Sequence, residues 1–259
     1  MSRSFFTFLF FIFFASILHR SIAHASEGFV DLYSEGIYLN KTDNFVGFGH
    51  FRAGYRPADL HTLEIYGALR GSSDARSSGQ PLGQILNDNF IFAGIGTDYL
   101  PDFIKGIRLR AQVGNSFDIN NNQTLRSGFD YQGGLITYHE SELISPLVGL
   151  ENYSETLYVY RYRNLLFAEQ ARLLFKWAKM SSGDWTLGAF PLIGATLDYD
   201  SQGLDYNRFV DVRPGLRLSA RTANICFSVT PEYVTGTLIY GARSAFHEFR
   251  LLGVAYLAF

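Results

Sequence analysis

The sequence predicts an all-β chain: a transmembrane antiparallel up-and-down β-barrel of about 12 strands. Three observations predict it. Beyond residue 25 the chain divides into segments of alternating polarity, each long enough to cross a membrane as a tilted strand. No apolar stretch in that part is long enough for a transmembrane helix, and only helices and closed barrels satisfy every backbone group in lipid. The last segment runs to the terminal residue with one uncharged face. Phe249, Leu251, Gly253, Ala255, Leu257 and Phe259 alternate with Glu248, Arg250, Leu252, Val254 and Tyr256.

The N-terminus reads as a secretory signal peptide over residues 1–25, cleaved near Ala25/Ser26. Arg3 precedes an apolar run from Phe5 to Leu18, and Ala23-His24-Ala25 supplies the small residues a signal peptidase needs. The run is shorter than the roughly 20 residues of a membrane-spanning helix. The residue directly after the cleavage site is Ser26 and not Cys, so a lipoprotein signal is excluded. Residues 26–259 are expected to form one barrel domain, since no linker or composition shift divides them.

The expected strands are Phe29–Asn40, Phe45–Arg56, Leu60–Gly71, Asn89–Tyr99, Gly106–Phe117, Ser127–His139, Asn152–Arg163, Leu165–Ala178, Trp185–Asp198, Asn207–Arg221, Ile225–Tyr240 and Ala245–Phe259. In the fifth, Ile107, Leu109, Ala111 and Val113 alternate with Arg108, Arg110, Gln112 and Gly114. In the tenth, Val210, Val212, Leu216 and Leu218 alternate with Asp211, Arg213, Arg217 and Ser219. Aromatics such as Tyr158, Tyr160, Tyr162, Trp177 and Tyr233 stand where interfacial girdles need them. An even count puts both termini on one side, the periplasmic one. Connections on that side, Pro57–Asp59, Leu100–Lys105, Lys179–Asp184 and Thr222–Asn224, are short. Those on the other, Ser72–Asp88, Asp118–Arg126 and Tyr199–Tyr206, are longer and polar. Two connections break the rule: Arg163–Leu165 is too short and Glu140–Glu151 too long.

Aromatics make up 16% of the chain, with 24 Phe and 16 Tyr. Formal charge is −2 with no basic run, which removes the electrostatic footprint of nucleic-acid binding. The lone Cys226 has no internal disulfide partner and is expected to pack as a small hydrophobe. No cofactor or metal is expected. His50, His61 and His247 are scattered, and no His or Cys cluster has ligand spacing. Asp198, Asp200 and Asp205 lack the spacing of a calcium loop. Gly94-x-Gly96 lies inside a strand, where it carries no phosphate-binding meaning.

Charges on a lipid face are costly, so the charged alternation is assigned to the lumen. The expected pore-lining set is Arg70, Arg108, Arg110, Arg161, Arg163, Arg172, Arg213, Arg217, Arg250, Glu64, Glu232 and Glu248, with Lys176, Glu155 and Asp211 beside them. Two readings stay open. Mixed charges can pair across a narrow lumen and plug it, or rings of Arg with aromatics can select polar or anionic solutes, sugars among them.

A chain ending on a strand closed by Phe259 resembles outer-membrane β-barrel proteins. That resemblance implies recognition of the last strand by barrel-assembly machinery, residence among outer-membrane lipid, and a Gram-negative-type bacterium. Glu64-Ile65-Tyr66-Gly67-Ala68-Leu69-Arg70, Phe92-Ala93-Gly94-Ile95-Gly96-Thr97-Asp98-Tyr99, Gly106-Ile107-Arg108-Leu109-Arg110-Ala111-Gln112-Val113-Gly114 and Asn207-Arg208-Phe209 with Pro214-Gly215-Leu216-Arg217-Leu218 are similar to the C-terminal barrel of exopolysaccharide-export porins and bacteriophage adsorption protein A. This implies a pore for polar, saccharide-like solutes, or a non-conducting surface receptor or structural barrel. The helical-repeat region that precedes the barrel in that family has no counterpart here.

An enzyme is not the expectation, but one motif belongs to a third reading. Tyr138-His139-Glu140-Ser141 holds His-x-Ser, whose side chains share one strand face. Outer-membrane phospholipase A and the lipid A deacylases use His-x-Ser as general base and nucleophile, so His139 and Ser141 would be the catalytic pair of a lipid hydrolase. Those families place Asn after Ser, where this chain has Glu142. Asn152 or Glu155 could orient His139.

Overall fold

A computed structural model describes residues 28–40, 44–57, 60, 62–74, 90–119, 127–145, 148–180, 184–190, 192–198, 209–221, 224–239 and 245–259 of the 259-residue chain. The expected leader lies outside the described residues, as do His61, Asp200, Asp205 and most of the longer connections.

Fourteen strand segments form one antiparallel sheet. They are β1 (Gly28–Leu39), β2 (Asn44–Tyr55), β3 (Leu63–Asp74), β4 (Phe90–Tyr99), β5 (Ile107–Asp118), β6 (Gly128–Ser145), β7 (Val148–Val159), β8 (Asn164–Met180), β9 (Asp184–Phe190), β10 (Leu192–Asp198), β11 (Phe209–Val212), β12 (Gly215–Arg221), β13 (Ile225–Leu238) and β14 (Ala245–Ala258). β9 and β10 both pair with β8 and are separated by Pro191 alone. β11 and β12 both pair with β13 and flank Arg213-Pro214. A proline has no N–H to give the ladder, so pairing is interrupted there. Each couple is one strand in two halves, and the sheet therefore has the expected twelve staves.

β14 pairs with β13 on one side and with β1 on the other. Phe259 adds the last rung: its N–H donates to the Val30 carbonyl at 2.8 Å, and its carbonyl accepts from the Val30 N–H at 2.9 Å. The ladder returns to the strand on which it began, which removes the free edges that would otherwise template aggregation.

The pleat sorts the side chains by solvent. Arg108, Arg110, Gln112 and Ser116 of β5 point inward, while Leu109, Val113 and Phe117 are exposed outside. Ile65, Ile91 and Ile95 continue that outer surface, as do Leu216, Leu218, Phe249 and Leu251. A water-soluble barrel would do the reverse, so this is the surface of a membrane-spanning barrel. Phe129, Tyr131, Tyr158 and Tyr160 cluster outside at one end of β6 and β7, with Tyr131 stacked on Tyr160 at 4.7 Å. Amphipathic rings at that level form an interfacial belt.

Two expectations near residues 140–165 are corrected. Glu140–Glu151 is not a long connection, because β6 runs to Ser145 and β7 begins at Val148. The expected seventh strand Asn152–Arg163 is shifted. It ends at Val159 in a 3-10 turn, Tyr160–Tyr162, closed by Arg163 in the left-handed region at φ 50°. Tyr160 and Tyr162 thus belong to the turn. The periodicity fails here for a physical reason. Tyr138, Glu140 and Glu142 face inward while His139 and Ser141 face outward, so both faces are polar and the strand reads as a loop.

Inside, three apolar clusters pack the wall: Phe29, Tyr66, Ala68, Phe90 and Phe92; Ile37, Leu39, Val46 and Leu252; and Phe209, Val234 and Phe246. Glycine lets adjacent strands and rings approach. A Cβ on Gly114 would lie 2.2 Å from the Ala93 carbonyl oxygen and 2.6 Å from the Gly94 Cα. A Cβ on Gly96 would lie 2.6 Å from the Tyr66 ring. Gly94-x-Gly96 is thus a packing feature.

Candidate functional site

The lumen is the candidate site, and its chemistry differs between its two ends. The terminus end carries Gly28, Phe259 and the connections spanning 56–62, 100–106, 146–147, 181–183 and 222–224. The loop end carries the connections 40–43, 75–89, 119–127, 160–163, 199–208 and 239–244.

On the β1–β5 wall near the terminus end, Arg52 is the hub of a buried ion cluster. Its guanidinium bonds both carboxylate oxygens of Asp31, reaches Asp98 at 2.6 Å and Glu64 at 3.2 Å, and lies over the rings of Phe29 and Tyr66. Arg56 bonds Glu64 at 2.6 Å. Arg108 and Arg110 each bond Asp98 at 3.0 Å. The Tyr66 hydroxyl donates to Asp98 at 2.6 Å and accepts from Gln112 Nε2 at 3.0 Å. Gln132 Nε2 donates onward to Gln112 at 2.6 Å, and Arg70 donates to Gln132. These partners come from every strand between β1 and β6, so the cluster cross-links half the barrel from inside. Buried charges are tolerated where each is paired and hydrogen-bonded, as here.

At the loop end the inward residues are sealed. Leu39, Asn44, Ser72, Phe90, Ser116, Asp130, Asn164, Phe209 and Phe246 are between 1% and 6% exposed. The Ser116 hydroxyl donates to Asp130 at 2.5 Å, and the Arg161 backbone N–H donates to the same carboxylate at 3.1 Å. The Arg161 guanidinium lies 4.0 Å from the Phe90 ring centroid, reaching from the β7–β8 turn to β4.

Toward the terminus end on the β6–β14 side, the lumen opens. Tyr138 and Tyr256 point inward yet are 50% and 41% exposed. Arg172 and Arg217 share Glu151, at 3.4 Å and 3.1 Å. Three Tyr-x-Glu pairs line this space: Tyr33 donates to Glu35, Tyr138 to Glu140 at 3.3 Å, and Tyr153 to Glu155 at 2.5 Å. Asp211–Arg213 at 2.8 Å and Glu248–Arg250 at 2.9 Å are further pairs two residues apart on one strand face. Such braces lie along the wall.

Of the expected set, Arg70, Arg108, Arg110, Arg172, Arg213, Arg217, Arg250, Glu64, Glu232 and Glu248 face inward. Arg161 is inward but belongs to a turn. Arg163 is corrected: it caps that turn and is exposed, because the strand ends before it. The sequence reading missed Asp31, Arg52 and Asp98. Their signal is faint, since β2 alternates phenylalanines on both faces: Phe45 and Phe51 outside, Phe48 inside. The Tyr-x-Glu repeat was legible and could have marked the lumen face of β1, β6 and β7.

His139 and Ser141 lie outside the lumen, on the outward face of β6 near the terminus end. The backbone N–H of the adjoining Tyr138 donates to the Gly106 carbonyl of the β4–β5 turn at 2.8 Å. Asn152 stands directly opposite His139 on β7, and its Oδ1 is buried without a partner. Glu155 faces inward, so it cannot orient His139.

No family model matches the sequence, and no curated protein does. Among solved structures, the chain is similar to the beta domain of the Bordetella autotransporter BrkA, at 13% identity and TM-score 0.45, covering 89% of this chain and 98% of that one. It is similar to the KdgM porin in complex with disordered oligogalacturonate, at 10% identity and TM-score 0.41, covering 89% and 99%. A bacterial polysaccharide outer membrane secretin follows at 10% identity and TM-score 0.36, covering 90% and 98%. The resemblance to bacteriophage adsorption protein A is not confirmed by these comparisons. An autotransporter, a porin and a secretin perform different tasks, so barrel architecture alone selects none of them.

Proposed function

We propose that the protein is a porin-like barrel of the outer membrane. It admits polar, saccharide-like solutes to a lumen lined by tyrosine, arginine and glutamate, and restricts their passage at the loop end. The supporting observation is a contrast in burial on one side of the lumen: the loop-end residues from Leu39 to Phe246 and the β1–β5 cluster around Arg52, Glu64 and Asp98 are sealed, while Tyr138 and Tyr256, toward the terminus end on the β6–β14 side, are exposed. Tyrosine faces stack on sugar C–H faces, while Arg172, Arg217 and Glu151 offer hydrogen bonds to hydroxyl and carboxylate groups. The terminus end faces the periplasm, and Phe259 addresses the last strand to the assembly machinery.

The test is solute flux into proteoliposomes. The wild-type barrel is expected to pass neutral and acidic oligosaccharides slowly. Arg161→Ser combined with Phe90→Ser removes the seal and raises that flux, provided the variant keeps its heat-modifiable mobility on gels. Unchanged flux from a folded variant would replace the porin reading with that of a non-conducting receptor or structural barrel.

A second reading, lipid hydrolysis, is favoured by one observation: Asn152 sits opposite His139 with an unpartnered Oδ1. In that reading Ser141 Oγ attacks the acyl carbonyl of a lipid ester while His139 takes its proton and returns it to the alcohol that leaves as the ester C–O bond breaks; water then frees the fatty acid from Ser141, and Asn152 holds the imidazole. Release of fatty acid from phospholipid by the wild type, abolished in Ser141→Ala, is the expected signature. A wild type that releases no fatty acid removes this reading.

A further inference from the structure

Of the described arginines on inward strand positions, Arg52, Arg108, Arg110, Arg172, Arg217 and Arg250 each have a carboxylate within ion-pair distance, and Arg70 does not. Among the described residues its one hydrogen bond goes to a neutral amide, Gln132 Oε1, while its guanidinium lies over the rings of Phe90 and Phe92. Its Nε is buried and has no partner. His50 stands directly opposite Arg70 on β2, and its Nε2 is buried and unpartnered as well. Side chains so paired start about 4.5–5.5 Å apart and share their surroundings.

The charge balance points the same way. The hydrogen-bonded network that runs from Arg52 to Arg70 holds the five guanidiniums of Arg52, Arg56, Arg70, Arg108 and Arg110 against the three carboxylates of Asp31, Glu64 and Asp98. All three carboxylates bond Arg52, and none is within ion-pair distance of Arg70. Other inward carboxylates, Glu35, Asp130 and Glu155, accept from other donors: Tyr33, Ser116 together with the Arg161 N–H, and Tyr153. The network therefore carries positive charge in excess, and a charge taken out of water without a counter-charge is costly.

This end of the network can be reached. One row of inward side chains on paired strands runs Tyr256, Tyr33, His50, Arg70 and Phe92. Tyr256 is 41% exposed and Phe92 is 1% exposed, and His50 and Arg70 between them are half-buried. They stand where the open lumen meets the seal.

We infer that Arg70 and His50 form an anion site that takes the carboxylate of an acidic saccharide entering from the open side. This deepens the porin reading and rests on it for the entry of the solute. The carboxylate supplies the counter-charge that Arg70 lacks, and the Arg70 Nε–H donates to it from the planar edge that a guanidinium offers to carboxylates. In the tautomer that carries its proton on Nε2, His50 donates to the same group. Adjacent strands lie about 4.8 Å apart, so Tyr33, two strands from Arg70, offers its ring face to the sugar while the acid group reaches the site. Phe90 and Phe92 close the space behind.

The test is equilibrium binding, by titration calorimetry, to the full protein folded in nanodiscs in a buffer free of phosphate and carboxylates. Glucuronate, glucose and inorganic phosphate are titrated separately. The wild type is expected to bind glucuronate at least about ten-fold more tightly than glucose or phosphate. Arg70→Met weakens glucuronate by about ten-fold or more and His50→Leu by about three-fold, while Arg70→Lys, which keeps the charge but not the planar edge, falls between wild type and Arg70→Met. Heat-modifiable mobility shows which variants are folded, and the wild-type comparison stands without them. Glucuronate bound no better than glucose overturns the inference, as does a folded Arg70→Met that binds like the wild type. Phosphate bound more tightly than glucuronate overturns it too, by assigning the site to a free oxyanion. Glucuronate binding that Arg70→Met abolishes, in a barrel that passes no solute, upholds the site and removes the porin reading alone.

Discussion

Replacing Arg52 by Met removes the hub of the lumen cluster while keeping much of its volume. The three carboxylates do not suffer equally. Asp98 keeps Arg108 and Arg110 at 3.0 Å, and Glu64 keeps Arg56 at 2.6 Å. Among the described residues Asp31 has no other ion-pair partner, and its side chain is 11% exposed. Breaking a buried pair from one side costs about 3–5 kcal/mol, because the remaining charge is left unpaired. Most of that cost resides in Asp31, so Asp31→Asn added to Arg52→Met should recover about half of it or more. Arg56→Met, by contrast, removes a side chain that is 53% exposed and should cost under about 1 kcal/mol. Urea titration of the barrel folded into vesicles, followed by heat-modifiable gel mobility, gives all four free energies. A loss below about 1 kcal/mol for Arg52→Met would refute the reasoning, as would a double variant as weak as the single one.

Other outcomes follow from the same geometry. Gly114→Val forces a Cβ against the Ala93 carbonyl at 2.2 Å and should cost at least about 1–3 kcal/mol, read in the same titration. Ile95 is 66% exposed on the outer wall, so Ile95→Arg should destabilise the vesicle-inserted barrel by about 2–4 kcal/mol if its row lies at mid-membrane; a gain in stability would contradict the assignment of outer face to lipid. Deleting Phe259 removes both hydrogen bonds to Val30, at 2.8 Å and 2.9 Å, and should slow assembly of the barrel in cells, seen as a larger unfolded fraction on gels.

The strands themselves were legible wherever one face met lipid. β5 and β14 are read from their alternation to within a residue or two, because lipid tolerates so few charges on one side. Legibility stops where that contrast stops. Beyond the hydrocarbon both faces of β6 and β7 are polar, and the pattern around Glu140–Glu151 became a loop in the reading. Alternation says which arginines share a strand face, but not their partners, since Arg52 meets Asp98 from two strands away. The direction of Glu169 is not legible in the sequence, because Gln170 beside it is polar as well and only register tells which of the two faces out. The His139–Asn152 juxtaposition likewise belongs to pairing across two strands and has no signature in spacing.

The central claim is that the lumen is open to water from the terminus end and sealed at the loop end. Two single cysteines in a Cys226→Ser background test it: Ser228→Cys, inward and half-buried near the start of β13, and Ser116→Cys, inward and 1% exposed near the end of β5. Reaction with a membrane-impermeant maleimide applied to the folded protein in nanodiscs is the measurement. The account predicts labelling of Ser228→Cys and protection of Ser116→Cys until the barrel is unfolded. Equal and rapid labelling of both would contradict it.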